Sequence, residues 1–134
     1  MTQEDRELLL KDLSSRVPYG VKYMKYSWGY ELDQEIPEVE VLECVDKNGY
    51  ISHTKVYTID DIKPYLFPLS SMTEEQKNEF NTKSLELQLK VIDDEIMYEK
   101  ATEFEVDFYN KHHLDWRGLI EKGLAIDATN KNIY

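Results

Sequence analysis

Apolar positions change their period along the chain, and the changes mark out the elements. Leu9, Leu10, Leu13 and Val17, broadened by Leu8, follow a 3.6-residue repeat, so residues 2–17 are predicted to form a helix with one buried face. Thr2 with Asp5 three residues later resembles a capping box, and Pro18 and Gly20 stop the helix. From Val21 onward strand-forming types take over: Tyr23, Met24, Tyr26 and Trp28, then Val39, Val41 and Val45 with Glu40 and Glu43 between them. Asn48-Gly49 is a strong hairpin signal, because both residues tolerate positive φ, and Tyr50–Ile59 is then the returning strand. A small antiparallel meander of three strands or more is expected. Its apolar face needs a cover, for which the N-terminal helix is nearest.

Residues 59–71, IDDIKPYLFPLSS, are punctuated by Pro64 and Pro68 and read as an apolar linker packed along the domain surface. Ser71-x-x-Glu74 and Thr73-x-x-Gln76 both match a capping box, so a second helix starts there with its register open. Leu85, Leu89, Ile92 and Ile96 carry its stripe, and Phe104, Phe108 and His112 continue it, with a break expected at Lys100-Ala101-Thr102. RGLIEKG gives a short helical signal, and ATNKNIY is polar enough to fray. The expected fold class is α+β, one domain over 1–134. A helix plus small antiparallel β-meander (1–70) precedes a helical part (71–134).

Charge narrows the functional classes. There are 27 acids against 16 bases, a net charge of -11, with -7 in residues 31–62 alone. That balance argues against duplex nucleic acid, whose phosphates demand a cationic surface. No apolar run approaches the ~20 residues of a membrane helix. The opening MTQEDRELLL lacks the basic start of a signal peptide, so a cytoplasmic setting is expected. The single cysteine, Cys44, excludes an intramolecular disulfide and a four-cysteine zinc site.

Four clusters invite chemistry. His112-His113 followed by Asp115 offers imidazoles and a carboxylate for general base catalysis or metal binding. Adjacent helical residues diverge by about 100°, however, and no third ligand stands at a known spacing. The simpler reading puts His112 on the Phe104–Phe108 stripe and leaves His113 exposed. Asp93-Asp94-Glu95 fans around a helix and reads as a solvated face, while Asp60-Asp61 reads as a turn or cap. Cys44 and His53 would face each other across a two-residue hairpin as a minimal activated thiolate, with no orienter or oxyanion donor nearby. Arg16–Tyr30 interleaves bases with Tyr23, Tyr26 and Trp28, the pattern that grips single strands by charge and stacking. Glu31–Asp46 follows with seven acids and no base, so neighbouring strands would cancel that charge. No glycine-rich phosphate loop is present, and neither a cofactor nor a metal is expected.

The C-terminal segment is too apolar for a free tail. Leu114, Trp116, Leu119, Ile120, Leu124 and Ile126 require docking, on their own domain or on a second copy. Connectivity favours the former, with Trp116 buried and Arg117 outward or paired to an acid of the middle segment.

IDDIKPYLFPLSSMTEEQ (59–76), HHLDWRGLIEKGLAIDA (112–128) and ELLLKDLSSRVPYGVK (7–22) resemble a family of small uncharacterised proteins of prophages and other mobile elements in gut bacteria. The resemblance implies a cytoplasmic, mobile-element setting and no mechanism. Its hallmarks here, Lys63, Pro64, Tyr65, Asp115, Trp116, Arg117 and Gly118, would be structural or would form one surface. The expected function is a non-enzymatic module that binds another protein, through Tyr23, Tyr26, Trp28, Tyr65, Trp116 and Arg117. Homo-oligomerisation stays open. The alternatives are a hydrolytic enzyme using His112, His113 and Asp115, or an acidic nucleic-acid mimic.

Overall fold

Thr2 Oγ1 accepts a hydrogen bond from Asp5 N at 3.1 Å, and helix α1 (Gln3–Arg16) starts there as predicted. The computed structural model describes the backbone of residues 1–29, 34–51, 57–91 and 95–134, and the side chains of 1–25, 38–51, 57–86 and 102–134. The buried face of α1 is Leu9, Asp12, Leu13 and Arg16, while Leu8, Leu10 and Val17 are only partly buried. That spacing is one helical face, so an acid and a base occupy two places on the core side. A 3-10 turn, Val17–Tyr19, and Gly20 at φ 70° end the helix.

Strands β1 (Lys22–Gly29) and β2 (Gln34–Val41) pair antiparallel, from Lys22↔Val41 to Gly29↔Gln34. The expected return strand over 50–59 is corrected. Gly49 N donates to Asp46 O at 3.0 Å, so the turn is Asp46–Gly49, with Gly49 at its end and φ 88°. Asp46 Oδ1 accepts from Asn48 N and Tyr50 N, an Asx-type lock that sets the turn one residue earlier. Asp46 N then bonds Tyr50 O, one register off the two-residue hairpin. Beyond it, the described residues show a Tyr50↔Thr58 bridge and an Ile51 N to Tyr57 O bond, not a strand. Cys44 Sγ lies 3.5 Å from Ile51 O, and His53 lies outside the described residues.

The presumed linker is the strand β3 (Lys63–Pro68). Pro64 and Pro68 share parity with Leu66, so all three present their backbone to the same side. On that side Leu66 O accepts from Ala128 N at 2.8 Å, and the β5 register puts Leu66 rather than either proline in the donor position. On the other side Phe67 N donates to His113 O at 2.8 Å. The missing proline donors therefore cost no ladder bond, which is how a strand with two prolines sits inside a sheet. β1 runs antiparallel to β3, whereas β4 (Leu114–Asp115) and β5 (Ile126–Asp127) run parallel to it. The sheet is thus mixed, in the order β2-β1-β3-β4 with β5 also on β3, rather than an antiparallel meander.

Helix α2 (Glu74–Val91) begins on the Thr73 box: Gln76 N donates to Thr73 Oγ1 and Thr73 N to Gln76 Oε1. Helix α3 (Glu95–Lys111) continues through Lys100-Ala101-Thr102, so no break falls there; residues 92–94, between the two helices, lie outside the described residues. Phe80 packs against Phe104, Phe108 and Tyr109, and Ser84 bonds Glu105, closing an antiparallel pair. Asp93 and Asp94 lie outside the described residues, as does the side chain of Glu95.

The helical part expected over 71–134 is formed by α2 and α3, but residues 112–134 are not helical, which corrects the short helix expected at RGLIEKG. They return to the sheet and bury Leu114, Leu119, Leu124, Ala125 and Ala128 on their own domain. Leu119, Leu124 and Ala125 join Leu9, Leu13, Val21, Tyr23, Leu42 and Leu66 in one core. The last residues are not frayed either, since Tyr134 is held by Lys22 and Tyr65. The architecture is α+β, and no helix among the described residues is long and apolar enough to cross a membrane.

Candidate functional site

The His112–Asp115 run sits where α3 turns into β4, and its three polar residues serve three separate contacts. His112 keeps to the aromatic face of α3, its ring 4.5 Å from Phe108. Gln76 Oε1 accepts from Thr73 N, which fixes that amide; Gln76 Nε2 then faces His112 Nδ1 at 3.4 Å as donor. The proton of neutral His112 therefore belongs on Nε2. Burial lowers its pKa. His113 takes φ 57°, the left-handed conformation that swings the chain into β4. It is half-buried rather than exposed as expected, stacked on Tyr134 with centroids 3.8 Å apart and planes 11° apart. Burial above all, then the Arg16 charge, pushes its pKa down to about 4. Asp115 is buried, and its two oxygens accept from Leu119 N at 2.8 Å and Ile120 N at 2.9 Å. That carboxylate closes the turn where a short helix was expected.

His112 also lines a cavity of about 230 Å³ with Phe67, Gln76, Leu114 and Thr129. His113 and Asp115 are not among its lining residues. Among the described residues, no group of three His, Cys, Asp or Glu side chains converges as metal ligands would.

Among the described residues, the candidate binding side chains do not make one surface. Tyr23 is a core residue whose hydroxyl donates to Glu40 at 2.9 Å, and Tyr65 is buried in β3. Tyr26 and Trp28 stand in β1 opposite Pro37 and Glu35; their side chains lie outside the description. Trp116 is half-buried rather than buried, donating from Nε1 to Asn110 Oδ1 at 3.1 Å. Arg117 stacks on the Trp116 ring at 4.0 Å and pairs with Asp12 at 3.2 Å, an acid of α1 rather than of the middle segment. Asp12 also binds Arg16 Nε at 2.8 Å, and Arg16 Nη2 donates to Leu114 O at 2.7 Å. This buried triad ties α1 to the C-terminal segment. The only signal for it was Asp12 and Arg16 at i,i+4 beside Leu9 and Leu13.

The charges of β1 and β2 do offset one another: Lys25 Nζ lies 2.9 Å from Glu40 and over the Tyr57 ring at 4.8 Å. The surface left over is the outer edge of β2. Leu42 N donates inward to Val21 O at 2.8 Å. By alternation Val39 and Val41 turn their N–H and C=O groups away from β1. No described residue pairs with that edge. Both valines are 46% exposed, on the face of the hairpin shared with Met24 and Lys22. Tyr23, Lys25, Glu38 and Glu40 take the other face. A scan of family models, a search of curated proteins and a search of solved structures each gave no match.

Proposed function

We propose that this chain is a non-enzymatic interaction module that binds another protein, acting as an accessory protein of a mobile element in the cytoplasm. The observation that carries the reading is the outer edge of β2, where two exposed valines and backbone groups that no described residue pairs lie in an acidic segment. Such an edge is either protected or used. The mobile-element setting rests on the sequence resemblance alone. The net charge of -11 speaks for a protein partner and against duplex nucleic acid.

Hydrolysis by His112, His113 and Asp115 is the weaker reading. Asp115 would have to give up two backbone amides, and His113 its stack on Tyr134, before the three groups met. The test is affinity capture from the source cell followed by mass spectrometry. A stoichiometric protein partner is expected; a protein recovered alone, with a turnover lost on His112→Ala, would overturn the reading.

A further inference from the structure

We infer that the outer edge of β2 accepts an extended strand from a basic partner, with basic and apolar residues alternating along it; this deepens the proposed interaction function and rests on it. The backbone specifies the shape of the ligand. Outward N–H and C=O groups at Val39 and Val41 have the spacing of another extended chain, which replaces their water in strand addition to a sheet edge. The side chains specify its composition. A strand laid beside β2 places alternate residues next to Val39 and Val41 on one face and next to Glu38 and Glu40 on the other. Apolar groups suit the first pair, and cations suit the remaining negative charge of the second, where Glu40 already meets Lys25 and Tyr23. The segment Glu31–Asp46, with seven acids and no base, supplies the attracting field.

A second copy of this chain fits the edge poorly. Antiparallel pairing of two β2 strands about Val39 sets Glu38 of each copy opposite Glu40 of the other, and like charges directly opposite are destabilising. The same register places Pro37 opposite Val41, where proline has no N–H to give. Pro37 and the acids therefore discourage self-association while leaving Val39 and Val41 open to a cationic strand.

The test uses the full chain and two labelled octapeptides of one composition, alternating Lys-Val and four Lys followed by four Val, with binding followed by fluorescence anisotropy. The alternating peptide should bind at least about tenfold more tightly than the block peptide, since only it matches charge and apolar contacts in register. Val39→Pro removes an outward donor that β1 does not use, and should weaken that binding about tenfold. Glu38→Lys should weaken it as well. An alternating peptide N-methylated on every second residue tests the backbone bonds with the protein unchanged, and should lose binding even if Val39→Pro folds poorly. Equal affinity for both peptides, or affinity indifferent to N-methylation, would overturn the edge assignment. If that happens while the captured partner still binds the intact chain, only the edge assignment falls; without a captured partner, the interaction reading falls with it.

Discussion

Tyr134 lies flat on His113, 3.8 Å between ring centroids, and its hydroxyl bridges two strands. Lys22 N donates to that hydroxyl at 2.8 Å, and the hydroxyl donates to Tyr65 O at 2.7 Å. The β1–β3 register, Tyr23↔Pro64, would next bring Lys22 opposite Tyr65. The phenol thus sits where a direct ladder bond would otherwise form. Lys22 Nζ further holds Ile133 O at 2.7 Å, so the tail is pinned at two points although the Tyr134 side chain keeps 41% of its surface.

Tyr134→Phe should cost about 1–3 kcal/mol, because it leaves a backbone donor and acceptor without partners. Removal of residues 129–134 should cost at least as much. Urea denaturation of both variants checks this. Unchanged midpoints would return the tail to the frayed state expected from its polarity.

The buried triad should be asymmetric in its response. Asp12→Ala strands Arg16 in the core with one carbonyl partner and should cost about 3–5 kcal/mol. Arg117→Ala should cost less, since Asp12 keeps Arg16 as its partner. Denaturant midpoints of the two variants give the order.

Gly49 and Gly20 separate two reasons for glycine. Both have positive φ, but a Cβ at Gly49 would lie 3.2 Å from buried Ile59 Cγ1 and would displace Arg6 Nη2 from Asn48 O, whereas Gly20 has nothing within 4 Å. Asn tolerates the left-handed conformation. Gly20→Asn should therefore change stability by under about 1 kcal/mol, and Gly49→Asn by about 2 kcal/mol or more. Equal melting temperatures would contradict the packing of Arg6 over this turn.

Acid should weaken the fold before the carboxylates titrate. The folded pKa of His113, about 4, lies below the ordinary 6.5, so between these values the unfolded chain binds more protons. Stability is fully present above about pH 6.5 and is lost as pH falls toward 4, by on the order of 1–3 kcal/mol. His112, also lowered by burial, adds in the same direction. Arg16, Lys22 and His112 are the cations that His113 meets on protonation. Unfolding at pH 7 and pH 5 should show the loss, and His113→Asn, which keeps the left-handed turn, should flatten it.

What the sequence disclosed was local. The caps at Thr2 and Thr73 and the β1–β2 pairing follow from neighbouring residues and were legible. What it hid was decided by distant partners. Pro64 and Pro68 mark a linker unless their missing donors fall where no strand needs them, and that depends on β4 and β5 arriving from fifty residues away. Asn48-Gly49 signalled its own turn, but Asp46 captured the amides first. Asp12 is buried because Arg16 and, from the far end of the chain, Arg117 reach it, and only the first of these is a neighbour in sequence. His112 was placed correctly on the aromatic stripe, whereas His113 required Tyr134, a contact no periodicity announces.

The central claim, that β2 is an open edge, is tested most directly by residue-resolved amide exchange on the uncomplexed chain. Leu42, bonded to Val21, and Glu40, bonded across to β1, should exchange at least about a hundredfold more slowly than unstructured amides. Val39 and Val41 should exchange close to the unstructured rate. Val39 and Val41 protected as strongly as Leu42 would show that the edge is already paired, and would contradict the account.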